Sequence, residues 1–189
     1  DNLSLDIFRK YKNLSLVDFV DLYNIDQNRN ELNRDIEENI SEPQDQDIAS
    51  MIPTSGTTAT PKIVPLTHFN LSSSVWNIIS SLSLKETDKY LNIMPLFHIH
   101  GLMLMLSSLF VSSTVFCAPK FDKNKFFSWM EDFQPTWYSA SPTIHQAIIS
   151  ESSKYKDAVK ESKLRFIRSS AAPLPPQVAD KLEEVFKVP

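Results

Sequence analysis

The order of short apolar runs and longer amphipathic segments is the feature of this sequence that most constrains its fold. Between residues 88 and 189, β-branched and apolar runs alternate with segments whose apolar residues recur at helical spacing. The predicted strands are Tyr90–Leu96, Thr114–Ala118, Thr136–Ala140 and Leu164–Arg168. Of the predicted helices, two span Leu102–Val111 and Thr143–Ser150. Three others are recognised by the residue that caps or opens them, namely Asn70 for the one that precedes these two, Asp122 for one in the middle, and Pro175 or Pro176 for the last. This alternation predicts an α/β fold with a mostly parallel sheet.

Three loops each follow a predicted strand and carry small, hydroxyl or imidazole side chains. They are Thr54–Lys62, Phe97–Gly101 and Ser169–Pro173. In open parallel sheets, ligands bind beyond the carboxyl ends of the strands. The shared position of the three loops therefore predicts a binding site at that edge.

The first loop has the composition of a phosphate-binding turn. Its residues are Thr54, Ser55, Gly56, Thr57, Thr58, Ala59, Thr60, Pro61 and Lys62. Small residues let backbone N–H groups reach an anion, hydroxyls donate, and lysine adds charge. It differs from the common nucleotide P-loop because Pro61 precedes Lys62 and a predicted strand follows, where that motif requires a helix. A Ser/Thr-rich turn of a β-hairpin is the alternative.

The second loop contains two histidines, His98 and His100. No cluster of Cys, His or Asp accompanies them, so a metal site is disfavoured. An imidazole placed near a developing negative charge is the favoured function. The alternative is that one of the two is a buried structural histidine.

The third loop consists of small residues without an acid or base, Ser169, Ser170, Ala171, Ala172 and Pro173. Side chains of this size would allow a flat ligand to lie against the backbone. A plain connection between a strand and a helix is the alternative.

Composition limits the remaining classes of function. A net charge of -4 argues against a general nucleic-acid surface. The most apolar span, Leu102–Val111, is shorter than the roughly 20 residues of a membrane-crossing helix. Cys117 is the single cysteine and lies in an apolar run, which predicts a buried thiol and a reducing compartment. Only two glycines occur, Gly56 and Gly101, which we expect at positions where the backbone requires them.

Four segments, in the same order along the chain, resemble the signature motifs of adenylate-forming enzymes, the superfamily of acyl-CoA synthetases, luciferase and peptide-synthetase adenylation domains. They are residues 54–62, 94–102, 136–146 and 164–174. The sequences of these four segments are most similar to those of the oxalate–CoA ligase branch. The resemblance implies that a carboxylate attacks the α-phosphate of Mg-ATP, and that coenzyme A then displaces AMP from the acyl-adenylate. ATP, Mg²⁺, coenzyme A and a small-molecule carboxylic acid are thus the expected ligands.

The resemblance also assigns residues. It implies that Thr54, Ser55, Gly56, Thr57, Thr58 and Lys62 form the phosphate loop. It places His98 beside the reacting carboxylate, and it implies that Ser170, Ala171, Ala172 and Pro173 line the adenine and acyl pocket. We add His145 as a hypothetical donor to the second carboxylate of a small dicarboxylate.

Two positions depart from the family pattern. Ala59 and Ser170 stand where glycine is common. A residue other than glycine costs about 1–2 kcal/mol when forced to a positive φ. The loop therefore either adopts another conformation at Ala59 or binds phosphate more weakly.

The chain is expected to be part of a larger enzyme. We assign residues 1–47 to an N-terminal segment, with a helix near 5–12, a strand near 14–22 and an acidic loop at 24–47. We assign residues 48–189 to part of the ATP- and acyl-binding domain, because the family's later segments and C-terminal domain do not occur in this sequence. The chain alone is then expected to be inactive, and its parent to be intracellular, cytoplasmic or peroxisomal. The alternative to a ligase is a nucleotide-binding or interaction module derived from the family, without catalysis.

If the parent is a ligase, oxalate is the first candidate acid, and fatty or aromatic acids are its rivals.

Overall fold

The structure is a computed structural model that describes residues 42–54 and 62–189. The chain divides into two units, Asp1–Pro43 and Gln44–Pro189, and nearly all of the described residues belong to the second. The helix expected near 5–12, the strand near 14–22 and most of the acidic loop lie outside the described residues. The division proposed at residue 47 stays a prediction.

The second unit begins with a β-hairpin that leads into a helix. Strand β1 (Ile48–Pro53) pairs antiparallel with β2 (Ile63–Thr67), and helix α1 (His68–Leu82) follows directly. Thr67 caps α1, because its hydroxyl accepts from the Asn70 N–H at 3.2 Å while the Asn70 side chain accepts from the Thr67 N–H at 3.1 Å. The predicted cap at Asn70 is therefore wrong by three residues, and Asn70 is the returning half of a capping box.

The remaining strands form the parallel sheet that the sequence predicts. The elements are β3 (Lys89–Asn92), α2 (Ile99–Phe110), β4 (Thr114–Cys117), α3 (Phe126–Phe133), β5 (Trp137–Ala140), α4 (Pro142–Ser152), α5 (Lys156–Lys160), β6 (Phe166–Ser169) and α6 (Pro176–Phe186). The order across the sheet is β4-β3-β5-β6, with every neighbouring pair parallel. In the described part of the chain, no helix is both long and apolar enough to cross a membrane.

Helices cover both faces of this sheet, as expected for a parallel sheet. On one face, Leu104 of α2 packs with Tyr90 and Trp137. On the other face, residues of α3, α4 and α6 pack against Leu91 and Tyr138. Strand β5 lies between two neighbours, and all of its residues are fully buried.

The face under α2 carries an aromatic row and a polar row. Tyr90 stacks on Trp137 with ring centroids 4.1 Å apart, and Trp137 stacks on Phe166 at 5.2 Å. Because alternate residues of a strand point to the same face, the residues two positions further on form the second row. Asn92, Ser139 and Arg168 are register partners across β3, β5 and β6. The aromatic register therefore aligns three polar side chains at the carboxyl end of the sheet.

A polar clamp connects the same three strands at their amino ends. Asp88 accepts from the Arg165 guanidinium at 2.7 Å and from the Thr136 hydroxyl at 2.8 Å. Burial raises the pKa of Asp88, but the hydrogen bonds from Arg165, Thr136 and the backbone of Lys85 outweigh it and hold that pKa below its ordinary value. Since these residues directly precede β6, β5 and β3, the clamp fixes where each strand begins.

Two expectations on the sheet need correction. Strand β3 ends at Asn92 and does not continue to Leu96, because the Asn92 side chain accepts the Met94 N–H at 3.0 Å and the chain then turns before Pro95. Cys117 is exposed, so the prediction of a buried thiol is wrong. It ends β4, which is an edge strand of the sheet.

We expect Asp88→Asn to lower the free energy of unfolding by about 1–2 kcal/mol, because it removes the counter-charge of Arg165. Urea unfolding at neutral pH measures the change. Glu184→Gln is the matched control, since Glu184 pairs with Lys181 on the exposed surface at 2.7 Å. Equal stability of the two variants would contradict the role given to the clamp.

Candidate active site

The beginning of α2 is held against the loop that precedes it. A Cβ atom on Gly101 would lie 2.5 Å from the Pro95 carbonyl oxygen and 2.8 Å from that of Met94. Glycine is therefore required at position 101, as the sequence predicts. The close approach fixes the positions of His98 and His100, which flank the first residue of α2.

His98 is the N-cap residue of α2, and it is exposed. Its side chain makes no capping hydrogen bond, and its ring lies 4.5 Å from that of Phe97. The imidazole is thus available to a ligand.

A cavity of about 350 Å³ lies between the hairpin and His98. Thr54, Val64 and Leu66 line it on the hairpin side, and His98 and Ile99 on the side of α2. The hairpin is a separate antiparallel sheet, so Thr54 does not lie at the edge of the parallel sheet as expected. Thr54 and His98 line the same cavity because α1 packs against both the hairpin and α2.

The ends of the predicted phosphate loop are joined by two hydrogen bonds. The Thr54 N–H donates to the Lys62 carbonyl at 2.8 Å, and the Lys62 N–H donates to the Thr54 hydroxyl at 3.2 Å. Residues 55–61, which include Ser55, Gly56, Thr57, Thr58 and Ala59, lie outside the described residues. Their assignment to phosphate binding stays a prediction.

A second cavity, of about 460 Å³, adjoins the first. Ile99 lines both cavities, and His100, Arg168, Ser170 and Ala171 also line the second. Ala172 and Pro173 continue the third loop as exposed residues. Parts of all three predicted loops thus line two cavities that have one lining residue, Ile99, in common.

The third loop turns at Ala171, which has a φ of 74°. Ser170 is not among the described residues with a positive φ. The backbone strain of a positive φ, expected at Ser170, is therefore present at Ala171 instead.

His100, Ser139 and Arg168 form a hydrogen-bonded cluster at the second cavity. The distance is 2.7 Å between His100 Nε2 and Ser139 Oγ, 3.3 Å between Arg168 Nη1 and His100 Nε2, and 3.2 Å between Arg168 Nη1 and Ser139 Oγ. Because a guanidinium can only donate, Arg168 is the donor in both of its contacts. The Nδ1 atom of His100 is buried and has no hydrogen-bond partner in the described part of the protein. Burial, followed by the charge of Arg168, lowers the pKa of His100 to about 4, so His100 is neutral at pH 7.

His145 is fully buried within the core. Its Nδ1 lies 3.3 Å from the Tyr138 hydroxyl, and its Nε2 has no hydrogen-bond partner in the described part of the protein. Burial lowers the pKa of His145 to about 4, against the opposing effect of the Arg168 and Ala140 carbonyls. This burial disfavours the predicted contact between His145 and a second carboxylate.

The polar row was not predicted as part of the site. The sequence pattern assigns Ser139 and Arg168 only to strands, although each lies two residues after an aromatic residue, Trp137 and Phe166. Polar residues that end several parallel strands on one face are the signal that could have identified them.

Across residues 42–54 and 62–189, no group of three or more His, Cys, Asp or Glu side chains is arranged to hold a metal ion.

Comparison with known proteins gives a consistent family match. The model of the AMP-binding enzyme family matches residues 7–189. The chain is 44% identical over 146 residues to an oxalate–CoA ligase of Arabidopsis thaliana, covering 76% of this chain and 28% of that protein. It is 35% identical over 144 residues to an oxalate–CoA ligase of Saccharomyces cerevisiae, covering 76% of this chain and 26% of the relative. The chain thus spans about a quarter of the length of these relatives.

The fold is also that of solved structures. O-succinylbenzoate coenzyme A synthetase from Bacillus subtilis, in complex with AMP, superposes with a TM-score of 0.67 at 25% identity. The match covers 80% of this chain and 32% of that structure.

We predict that His145 makes folding sensitive to mild acid. Its pKa is about 4 in the folded protein and about 6.5 when unfolded, so the unfolded chain binds more protons between these values. Stability is therefore complete above pH 6.5 and is lost as the pH falls toward 4. From this residue we expect a loss of about 1.5 kcal/mol between pH 6.5 and pH 5.

Urea unfolding across this pH range tests the effect. The His145→Gln variant cannot take up the proton and should lose less stability than the wild type over the same interval. His68→Gln is the control, because His68 is exposed at the start of α1. An unchanged pH dependence in His145→Gln would contradict the assignment.

Proposed function

The chain belongs to the AMP-binding enzyme family, and we propose that it is part of an AMP-forming acid–CoA ligase. In this reaction, a carboxylate oxygen attacks the α-phosphorus of Mg-ATP, and pyrophosphate leaves. The sulfur of coenzyme A then attacks the acyl carbon, AMP departs with the electron pair of the broken C–O bond, and the thiol proton is released. Catalysis of this kind requires positioned reactants and charge stabilisation more than a protein nucleophile.

The convergence of the three loops is the observation that carries this proposal. Thr54, at the start of the phosphate loop, and His98 line one cavity. Ser170 and Ala171 line the adjoining cavity. A phosphate bound by the first loop and an acyl group bound beside the third would be joined near His98, where the acyl phosphate bond forms.

We assign roles to the residues on this basis. The loop residues Thr54, Ser55, Gly56, Thr57, Thr58 and Lys62 bind the outer phosphates of ATP through backbone N–H groups, hydroxyls and the lysine charge. His98 donates to the reacting carboxylate and so stabilises the charge that develops on it. The small side chains of the third loop give the adenine and the acyl group access to the backbone.

Oxalate or another small acid is the proposed substrate, and fatty and aromatic acids are the rivals. Two relatives similar to this chain carry the name oxalate–CoA ligase. Both cavities are of a size typical for small-molecule sites, since such sites occupy about 300–1,000 Å³.

The test uses the product of the complete open reading frame that contains this chain. Acid-dependent exchange of pyrophosphate into ATP, and thioester formation with coenzyme A, should occur with at least one acid of a panel. We expect Lys62→Met to raise the KM for ATP and His98→Ala to lower kcat, each by about 10- to 100-fold. Lys163→Met is the control, because Lys163 is exposed. It lies two residues before Arg165 of the clamp, at the amino ends of the strands.

Two outcomes would contradict the proposal. Binding of ATP without exchange for any acid would support the non-catalytic nucleotide-binding module instead. Full activity in both variants would contradict the assigned roles of Lys62 and His98.

A further inference from the structure

Arg168 carries a charge that no carboxylate of the described chain neutralises. It lines the second cavity and is half-buried, yet the ion pairs within the described ranges are Lys123–Glu151, Lys154–Glu151, Arg165–Asp88 and Lys181–Glu184. Arg165, three residues earlier, is fully paired with Asp88. A charge removed from water is costly unless it has a counter-charge. The position of Arg168 therefore favours an anionic ligand.

The hydrogen bonds of Arg168 orient it without satisfying it. Only its Nη1 atom has partners among the described residues, namely His100 Nε2 and Ser139 Oγ. Both partners are neutral, since Ser139 carries no charge and the pKa of His100 is about 4. The other N–H groups of the guanidinium have no partner within residues 42–54 and 62–189, and their fork geometry matches the two oxygens of a carboxylate.

The location distinguishes this anion from the phosphates of ATP. The predicted phosphate loop starts at Thr54, which lines the cavity on the hairpin side of Ile99. Arg168 lies in the other cavity, together with Ser170 of the third loop. An acid with one carboxylate near His98 and a second near Arg168 would contact Ile99, which lines both cavities.

We propose that Arg168 is a specificity-determining residue that binds a second carboxylate of the substrate, so that the site selects small dicarboxylic acids over monocarboxylic acids of the same size. His100 and Ser139 are positioning residues that hold the guanidinium. This inference rests on the proposed acid–CoA ligase function, whose acyl site it specifies.

The experiment compares oxalate with oxamate, in which a neutral amide replaces one carboxylate at nearly the same size. It uses the product of the complete open reading frame and measures kcat/KM for acid-dependent pyrophosphate exchange. The wild type should prefer oxalate by about 10- to 100-fold, the value of a charge-assisted bidentate contact. In Arg168→Met the preference should fall to below about 3-fold, and Arg168→Lys should retain part of it.

Arg165→Met is the matched control, because it removes an arginine that is already paired with Asp88. It should lower thermal stability without changing the preference for oxalate. A preference that is equal in the wild type and in Arg168→Met would overturn the proposal. So would a loss in Arg168→Met that is the same for every acid and appears as a higher KM for ATP, because Arg168 would then bind the nucleotide.

Calorimetric binding of oxalate and of oxamate separates this inference from the proposed function. Oxalate binding that is lost in Arg168→Met, without turnover of any acid, would support the role of Arg168 and contradict the ligase. Turnover together with oxalate binding that is unaffected by Arg168→Met would support the ligase and overturn the role of Arg168.

Discussion

The stacked row of Tyr90, Trp137 and Phe166 is the contact on which the geometry of the site depends. The row fixes the register of β3, β5 and β6, because each ring packs on the ring of the neighbouring strand. A shift of one strand by one residue would move its side chains to the opposite face. The aromatic register therefore determines that Ser139 and Arg168 meet beneath His100. The clamp around Asp88 holds the same strands at their other ends.

Much of the fold could be predicted from the sequence, because periodicity reports which faces are buried. The parallel sheet is confirmed, and so is the last helix, which is predicted to open at Pro175 or Pro176 and starts at Pro176. The errors concern side-chain hydrogen bonds that override local pattern. Thr67 in place of Asn70 caps α1, and the Asn92 side chain ends β3 early. The exposure of Cys117 depends on its position in an edge strand, which periodicity does not reveal.

The site was only partly predictable for the same reason. Loop composition drew attention to His98, Ser170 and Ala171, and these residues do line the two adjoining cavities. Arg168 was missed, because a single arginine at the end of a strand has no distinctive local pattern. Its significance appears only when the folded chain shows that Arg165 has a carboxylate partner and Arg168 has none in the described part. His145 is the opposite case, since its motif suggests a ligand contact and the structure buries it, so that its role in binding stays a prediction.

In the proposed role of Arg168, the aligned strand ends present its guanidinium as the counter-charge of an acid that reacts near His98. The most direct measurement is a crystal structure of the complete gene product with oxalate bound. We expect a carboxylate of oxalate within about 3 Å of the Arg168 guanidinium nitrogens, as in other charge-assisted pairs. Oxalate bound elsewhere, with Arg168 paired to a carboxylate of the protein itself, would contradict it.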